Sequence, residues 1–381
     1  MNILHVIVGL NVGGAELMLC RLIESHREST EFRHTVISLT LLGKVGQDLT
    51  AKGVPVIALR MKSILDVPRV FWKLFRTIRQ LNPDVVQTWM YHADMLGGLA
   101  SRLAGNRRVI WGVRTTDVDA GGKRATLLVR RVCAWLSHWV PAVIVCAADS
   151  SRRAHTSIGY DASKMRVIPN GFEVVQEDHH AGGEAFRREL GWGPENVVVG
   201  SLGRFHPVKD YDNFINACEA LSPVMPHVRF LLVGTNLDRN NIRLMDRLTG
   251  TGYVDRFALL GQRKDVTHCL SAMDMLCLHS RTEGFPNVVG EAMAAGVPCI
   301  STDVGDAALL IGLTGMIVPK ENHLALAEGL KSMIELTSEA RCELGRSAKS
   351  RVLAEFSMLR CRERFEVVYR EVGEGRVTCA G

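Results

Sequence analysis

The 381 residues are 47% hydrophobic and 23% charged, a balance that suits a globular chain of about two domains, each large enough to bury a core. No apolar run reaches the roughly 18 residues needed to cross a bilayer and no segment is repetitive or of low complexity, so the expected protein is soluble or attached only to a membrane surface. The net charge of +6 hides an asymmetry: residues 1–173 carry 23 Lys+Arg and 13 Asp+Glu, residues 174–381 carry 23 and 27, so the two halves attract different partners.

Met1-Asn-Ile-Leu-His-Val-Ile-Val is apolar but short, lacks a basic start and runs into glycine. It is read as a first strand and not as a signal peptide. Gly9-Leu-Asn-Val-Gly-Gly-Ala-Glu16 comes next and opens a helix; its glycines let backbone approach a phosphate or sugar. A dinucleotide fingerprint is absent, because the spacing is not Gly-x-Gly-x-x-Gly. A tight strand-to-helix turn without ligand accounts for the same glycines.

Further strands are expected at Thr35–Leu39, Val56–Leu59, Val85–Thr88, Val109–Val113, Val143–Cys146 and Val167–Ile168. Trp89-Met-Tyr-His-Ala-Asp94 closes the fourth strand and puts His92 at a ligand-binding end, although a lone histidine also serves as a structural residue. The Asp117-Val-Asp119 string after the fifth strand fits turn and capping roles better than a divalent metal. Pro68–Leu81 and Gly122–Trp139 are helical, basic on one face and rich in Trp, Phe and Leu on the other. Such faces suit anionic lipid headgroups, and core packing explains the apolar stripe equally well. The ten cysteines show no metal-ligand spacing, and Cys146, Cys277 and Cys299 lie in apolar runs, as reduced core thiols do.

A boundary is expected after Pro169-Asn170-Gly171, in the polar stretch Gln176–Gly183. Six more strands succeed it, at Val197–Ser201, Phe230–Val233, Phe257–Leu260, Met275–Leu278, Cys299–Ser301 and Met316–Val318. Helical patterns fill almost every gap, so the fold class is α/β, with doubly wound parallel sheets. Thirteen strands favour two domains over one sheet: residues 1–173 and 174–355, with a C-terminal helix in 356–381 marked by Phe356, Leu359, Phe365 and Val368. Ligands of such sheets bind at the carboxyl ends of the strands, and two such domains facing each other make a cleft.

Three motifs of the second half lie at carboxyl ends. Gly203-Arg-Phe-His-Pro-Val-Lys-Asp210 offers Arg204 and Lys209, a planar fork and a point charge that can clamp a diphosphate. In Phe257–Val266, Gly261 and Arg263 can frame a nucleobase through backbone hydrogen bonds and guanidinium stacking, and a turn with exposed charges is the competing account. Glu283 and Glu291 lie eight residues apart around Gly284, Pro286 and Gly290. Glu283 falls in a turn, Pro286 suits the first helical position, and Glu291 then sits in the second helical turn, stopped by Gly296 and Pro298. A turn and a helix N-terminus suit a phosphate, and a carboxylate one turn further in can accept both hydroxyls of a sugar diol.

Together the motifs Gly203–Lys209, Leu260–Val266, Glu283–Pro298 and Thr302-Asp-Val-Gly305 resemble, in order and spacing, the retaining GT-B glycosyltransferases of group 1, family 4. The resemblance implies the GT-B fold, a nucleoside-diphosphate sugar donor, a glycan or lipid-linked acceptor, no nucleic acid partner and no obligatory metal. It assigns Glu291 to the ribose hydroxyls, Arg204 and Lys209 to the diphosphate, and Glu283 with Gly284, Phe285, Pro286, Asn287 and Val288 to the donor sugar. Gly261, Arg263 and Val266 fall at the nucleotide, and Gly13 and Gly14 approach from the other domain. Many relatives place a histidine in the loop after the fifth strand; here that loop reads Val113-Arg-Thr-Thr-Asp117, which leaves Arg114 or His92 for the role, or a site tuned for another sugar. Transfer with retained configuration in bacterial polysaccharide or lipid-linked glycan synthesis, at the cytoplasmic side of the membrane, is the expected activity. A sugar-nucleotide epimerase and a non-catalytic partner subunit are the alternatives.

Overall fold

The computed structural model describes residues 1–116, 124–173 and 180–376; the Asp117–Asp119 string and part of Gln176–Gly183 lie outside them. The chain divides into two compact units, Met1–Gly171 with Met358–Gly381, and Phe172–Ser357. Each is built on one parallel sheet.

In unit 1 the strands are β1 Asn2–Ile7, β2 Arg33–Ser38, β3 Val56–Ala58, β4 Val85–Trp89, β5 Val109–Val113, β6 Val143–Cys146 and β7 Met165–Val167, in the order β3-β2-β1-β4-β5-β6-β7. In unit 2 they are β8 Val197–Leu202, β9 Val228–Val233, β10 Phe257–Leu259, β11 Met275–Leu278, β12 Cys299–Thr302 and β13 Gly315–Val318, in the order β10-β9-β8-β11-β12-β13. Runs of Val, Ile and Leu without alternation form the central strands because helices cover both faces. The expected strands all form, with ends moved by two residues at most.

Each strand order reverses once, between β1 and β4 and between β8 and β11. At these points neighbouring strands send their chains to opposite faces, and the gap between the outgoing loops is where a ligand fits. The loops concerned begin at Val8 and Met90 in unit 1 and at Gly203 and His279 in unit 2.

The C-terminal helix Met358–Gly373 belongs to unit 1. Phe365, Val368, Tyr369 and Val372 enter the core formed by Ile3, Leu19, Leu22 and Trp89, and the Tyr369 hydroxyl donates to Gln87 Oε1. Of the residues expected to mark this helix, Phe365 and Val368 are buried, Leu359 is exposed, and Phe356 lies in unit 2. In the basic helix Val67–Leu81, core packing takes Val70, Leu74 and Ile78 but leaves Trp72 outside.

Unit 1 buries several titratable groups. Trp89 Nε1–H donates to His5 Nδ1 at 3.2 Å, so His5 carries its proton on Nε2 and donates to His34 Nδ1 at 2.9 Å. Burial holds both imidazoles neutral, His34 down to about 3. Asp94, in the first turn of the Tyr91–Leu103 helix, is fully buried with Thr88 Oγ1 at 2.5 Å, and burial pushes its carboxyl up to about 7.

The signs are opposite. The histidines bind protons more readily unfolded, so their contribution is lost as pH falls below about 6.5. Asp94 binds its proton more readily folded, so stability falls as pH rises from about 4 to about 7. Asp94→Asn, an uncharged near-isostere, is expected to unfold at higher urea than wild type at pH 8, by on the order of 2–4 kcal/mol, and to lose that gain as pH falls to about 4. A variant less stable than wild type at pH 8 would show that the fold favours the ionised Asp94 carboxylate over the neutral one.

Candidate functional site

In unit 2 the loop after β8 and the loop after β11 flank the reversal point. Gly203 N–H reaches Val233 O and Phe205 N–H reaches Thr235 O, which carries the first loop along the carboxyl edge. Pro207–Lys209 then makes one 3₁₀ turn, capped by His206 Nδ1 accepting from Val208 N–H. Asp210 comes next in the left-handed region (φ 54°, ψ 51°) and starts the Tyr211–Leu221 helix.

This turn is tied to the second loop at several points. Arg281 N–H donates to Val208 O at 2.8 Å, and Arg281 Nη2 to the buried carboxylate of Asp210 at 2.8 Å. Lys209 Nζ lies 2.5 Å from Glu283 Oε1, an oxygen that also accepts from Ser280 Oγ at 2.6 Å. Thr302 Oγ1 in turn holds Ser280 O. Only 18% of the Lys209 side chain and 15% of that of Glu283 are exposed, so water screens this ion pair weakly. Lys209 is therefore fixed against Glu283, whereas Arg204 is exposed and makes no hydrogen bond or ion pair among the described residues.

The Glu283 turn is backed by the loop after β12. Asp306 N–H donates to Gly284 O at 2.9 Å, and Gly305 has φ +56°, where an added Cβ would lie 2.3 Å from Gly284 O. Phe285 stacks on Phe172 with centroids 6.1 Å apart. Pro286 caps the next helix in an extended conformation (φ −77°, ψ 95°) instead of taking its first position, and the helix runs Asn287–Ala294. Proline suits this place too, because Val289 N–H and Gly290 N–H both close on its carbonyl. The amides of the first turn and the positive dipole end thus lie beside Glu283. Glu291 is half-buried in the second turn, and Gly290 packs so closely that a Cβ there would lie 2.0 Å from the Phe172 ring.

The third motif departs from the sequence expectation. Gly261 (φ +62°) already uses its N–H on Leu237 O and its carbonyl on Gly234 N–H, so its N–H is taken. Arg263 forms a two-pronged pair with Asp265 at 2.6 and 2.9 Å and lies 5.7 Å from the Phe186 ring. Val266 opens a short helix, Val266–Ser271.

In unit 1, Gly13 caps the Gly14–Ser25 helix in an extended conformation with the Glu16 carboxylate folded over it: an added Cβ would meet Glu16 Oε2 at 2.5 Å. Burial raises the Glu16 carboxyl. His92 is half-buried, which lowers its imidazole. Arg114 is not an open cation: its guanidinium stacks 4.8 Å over Trp89 and 5.5 Å from Phe365, and Nη1 donates to Asn170 Oδ1 at 2.9 Å. Two residues that the sequence did not mark stand here. Met90 has φ 72° and ψ 155°, a region almost reserved for glycine; a methionine gives no signal of that. Asp94 lies one turn beyond it. In unit 2 the unmarked residues are Asp210, Arg281 and His279. Asp210 closes the first motif and the other two precede the Glu283 turn, and only their contacts reveal their roles. Among the described residues no group of three or more His, Cys, Asp or Glu side chains is placed to hold a metal ion.

Two family models match the chain: Glycosyltransferase Family 4 over residues 12–176 and Glycosyl transferases group 1 over residues 196–335. The Escherichia coli UDP-Gal:alpha-D-GlcNAc-diphosphoundecaprenol alpha-1,3-galactosyltransferase is 26% identical over 66% of this chain and 65% of its own length. The Mycobacterium tuberculosis GDP-mannose-dependent alpha-mannosyltransferase is 28% identical over 65% and 63%. The match thus spans a little under two thirds of each of these relatives. Among solved structures, Anabaena Alr3699/HepE in complex with UDP-glucose superposes with a TM-score of 0.83 at 22% identity, over 97% of this chain and 100% of that one.

The Lys209–Glu283 pair makes a stability prediction. Lys209→Met leaves a carboxylate that is mostly buried without its cation, at an expected cost of about 1–3 kcal/mol in urea unfolding. Adding Glu283→Gln to that variant removes the stranded charge and is expected to recover most of the loss. Equal stability of the single and double variants would mean that the pair is not formed in solution.

Proposed function

Because the chain belongs to the group 1, family 4 glycosyltransferases of GT-B fold, we propose that it transfers a sugar from a nucleoside-diphosphate sugar to an acceptor hydroxyl with retention of anomeric configuration. The observation that supports this most is the joining of two loops at the unit 2 reversal point, which puts Lys209 on Glu283 beside the N-terminus of the Asn287–Ala294 helix. Positive charge and first-turn amides suit a diphosphate. Glu283 suits sugar hydroxyls, and Glu291 suits the ribose diol. UDP- and GDP-sugars are the proposed donors; UDP-glucose accompanies the Anabaena structure, and the mycobacterial relative is named for GDP-mannose.

Exposed Arg204 and paired Lys209 have different roles here. Lys209 is pre-positioned, at no cost of reorganisation when charge develops on the departing diphosphate. Arg204 is free to swing onto the phosphates. In that reading the two cations supply the positive charge and no metal ion is required. The leaving phosphate then accepts the proton of the acceptor hydroxyl on the face it leaves, which retains the configuration without an enzymic nucleophile.

The basic unit 1 is proposed to take a glycan or lipid-linked acceptor at the cytoplasmic membrane face. The helices Val67–Leu81 and Arg124–Leu136 contain no acidic residue, and Trp72, Trp135 and Trp139 are 53, 63 and 54% exposed. Tryptophans among cations suit an anionic headgroup layer. No helix of the described residues is long and apolar enough to cross a membrane.

Two measurements check these assignments. Arg204→Ala is expected to lower transfer or donor hydrolysis with UDP- or GDP-sugars by about 10²–10³-fold, and Glu291→Ala to raise the donor KM by about 10–100-fold, both with an unchanged melting temperature. Undiminished turnover in both variants overturns the site, and an epimerised nucleotide sugar without transfer would identify an epimerase. In co-sedimentation, phosphatidylglycerol vesicles at low salt are expected to retain the wild-type protein and to release a Trp72→Ala/Trp135→Ala/Trp139→Ala variant; equal recovery removes the membrane face.

A further inference from the structure

Lys209 is held at both ends. Its ammonium meets Glu283, and its carbonyl meets the ring of a histidine that no motif includes. His279, the first residue after β11, is 3% exposed. Its Nδ1 lies 2.5 Å from Lys209 O and its Nε2 2.7 Å from Ser201 Oγ. A carbonyl oxygen only accepts, so Nδ1 carries the proton and Nε2 accepts from the serine hydroxyl. The imidazole is thus a fixed-tautomer strut between the end of β8 and the 3₁₀ turn that carries Lys209.

Packing leaves the ring little freedom. It stacks on Phe214 with centroids 4.6 Å apart and 20° between planes, and Tyr211 meets it edge-on at 4.7 Å. Burial keeps it neutral, down to about 3, so the donor at Nδ1 persists across the physiological range. The carbonyl it holds precedes Asp210, whose left-handed backbone turns the chain into the next helix. Orientation of the Lys209 peptide therefore sets where the Lys209 side chain leaves the loop.

Resting on the donor reading above, we propose that His279 is a positioning residue for the diphosphate clamp: its Nδ1–H fixes the Lys209 carbonyl and thereby the ammonium that meets the phosphates. It does not touch the donor and exchanges no proton in the reaction. A ring that only filled the core would be replaceable by any side chain of similar shape. A strut needs a donor at the Nδ1 position, which asparagine supplies, glutamine places one bond further out, and phenylalanine lacks.

The test is calorimetric titration of wild type, His279→Asn, His279→Gln and His279→Phe with UDP, GDP and inorganic pyrophosphate, with uridine and guanosine as diphosphate-free controls, alongside thermal melts. The Asn variant is expected to bind the better diphosphate within about 3-fold of wild type. Gln and Phe are expected to bind it about 10-fold or more weakly, with nucleoside affinity unchanged. Wild-type protein that binds none of the diphosphates overturns the donor reading itself. Wild-type binding with equal affinity in the Phe variant, or with Asn and Gln equally impaired, overturns the strut and leaves the donor reading standing. Should the Phe variant not fold, the Asn–Gln comparison decides.

Discussion

A parallel sheet sends every chain out of the same edge, and that constraint places all the candidate chemistry of this protein. Each strand ends on a loop that leads into a helix, so the carboxyl edge collects loop amides and helix N-termini together. At the reversal of strand order between β8 and β11 the flanking loops leave toward opposite faces. Their tips then meet over the edge instead of each packing onto its own helix layer. Lys209 and Glu283, 74 residues apart in sequence, come within ion-pair distance for that reason.

Bringing a cation to this edge creates a problem of charge. Under the proposed function a lysine that meets a diphosphate must be held before the ligand arrives, yet a mostly buried ammonium without a partner is costly. Glu283 resolves this by neutralising Lys209; Ser280 Oγ donates to the same carboxylate, and Thr302 Oγ1 donates to the Ser280 carbonyl. Arg281 and Asp210 repeat the device one residue further along the same turn. The backbone is held separately, by the Arg281 amide and by His279. A ligand phosphate of the proposed donor would therefore compete with Glu283 for one bond of a site that is already assembled. Arg204, without such ties, differs in kind: it is a mobile cation beside a fixed one.

The sequence makes the strands and both carboxylates visible because each depends on a local signal. Apolar runs bounded by glycine and proline give β1 to β13, and Gly284, Pro286, Gly290 and Gly296 frame Glu283 and Glu291. The partner that a side chain takes has no such local signal. Gly261 looks available for a base, but its N–H belongs to Leu237 O. Arg114 looks like an open cation after β5, but Trp89 and Phe365 cover it. Pro286 serves as the cap instead of the first helical residue, a distinction of one position that propensity does not resolve. His279 is silent in the sequence because its role lies in a carbonyl 70 residues away.

The two units also differ in what their reversal points hold. In unit 2 Lys209 and Arg281 are paired with Glu283 and Asp210, and the turn that backs Glu283 places its left-handed backbone on a glycine, Gly305. In unit 1 the carboxyl ends of β4 and β5 gather unfavourable features: Met90 in a glycine region, Arg114 with two buried nitrogens lacking hydrogen bonds, and Asp94 with its carboxyl pushed up to about 7. Strain of this kind, on the order of 1–3 kcal/mol per residue, persists where the surroundings over-determine it. The rigid core around Trp89, His5 and Tyr369 provides such surroundings. Helix 358–373 completes that core from the far end of the chain, so the strained edge of unit 1 depends on the last helix being in place. Conflicts between local preference and fold are expected at functional positions and not in a scaffold. On that ground Met90 and its neighbours on β4 and β5 are where, under the proposed function, the acceptor side of the chemistry is to be sought, as the ion pair is the place to seek the donor side.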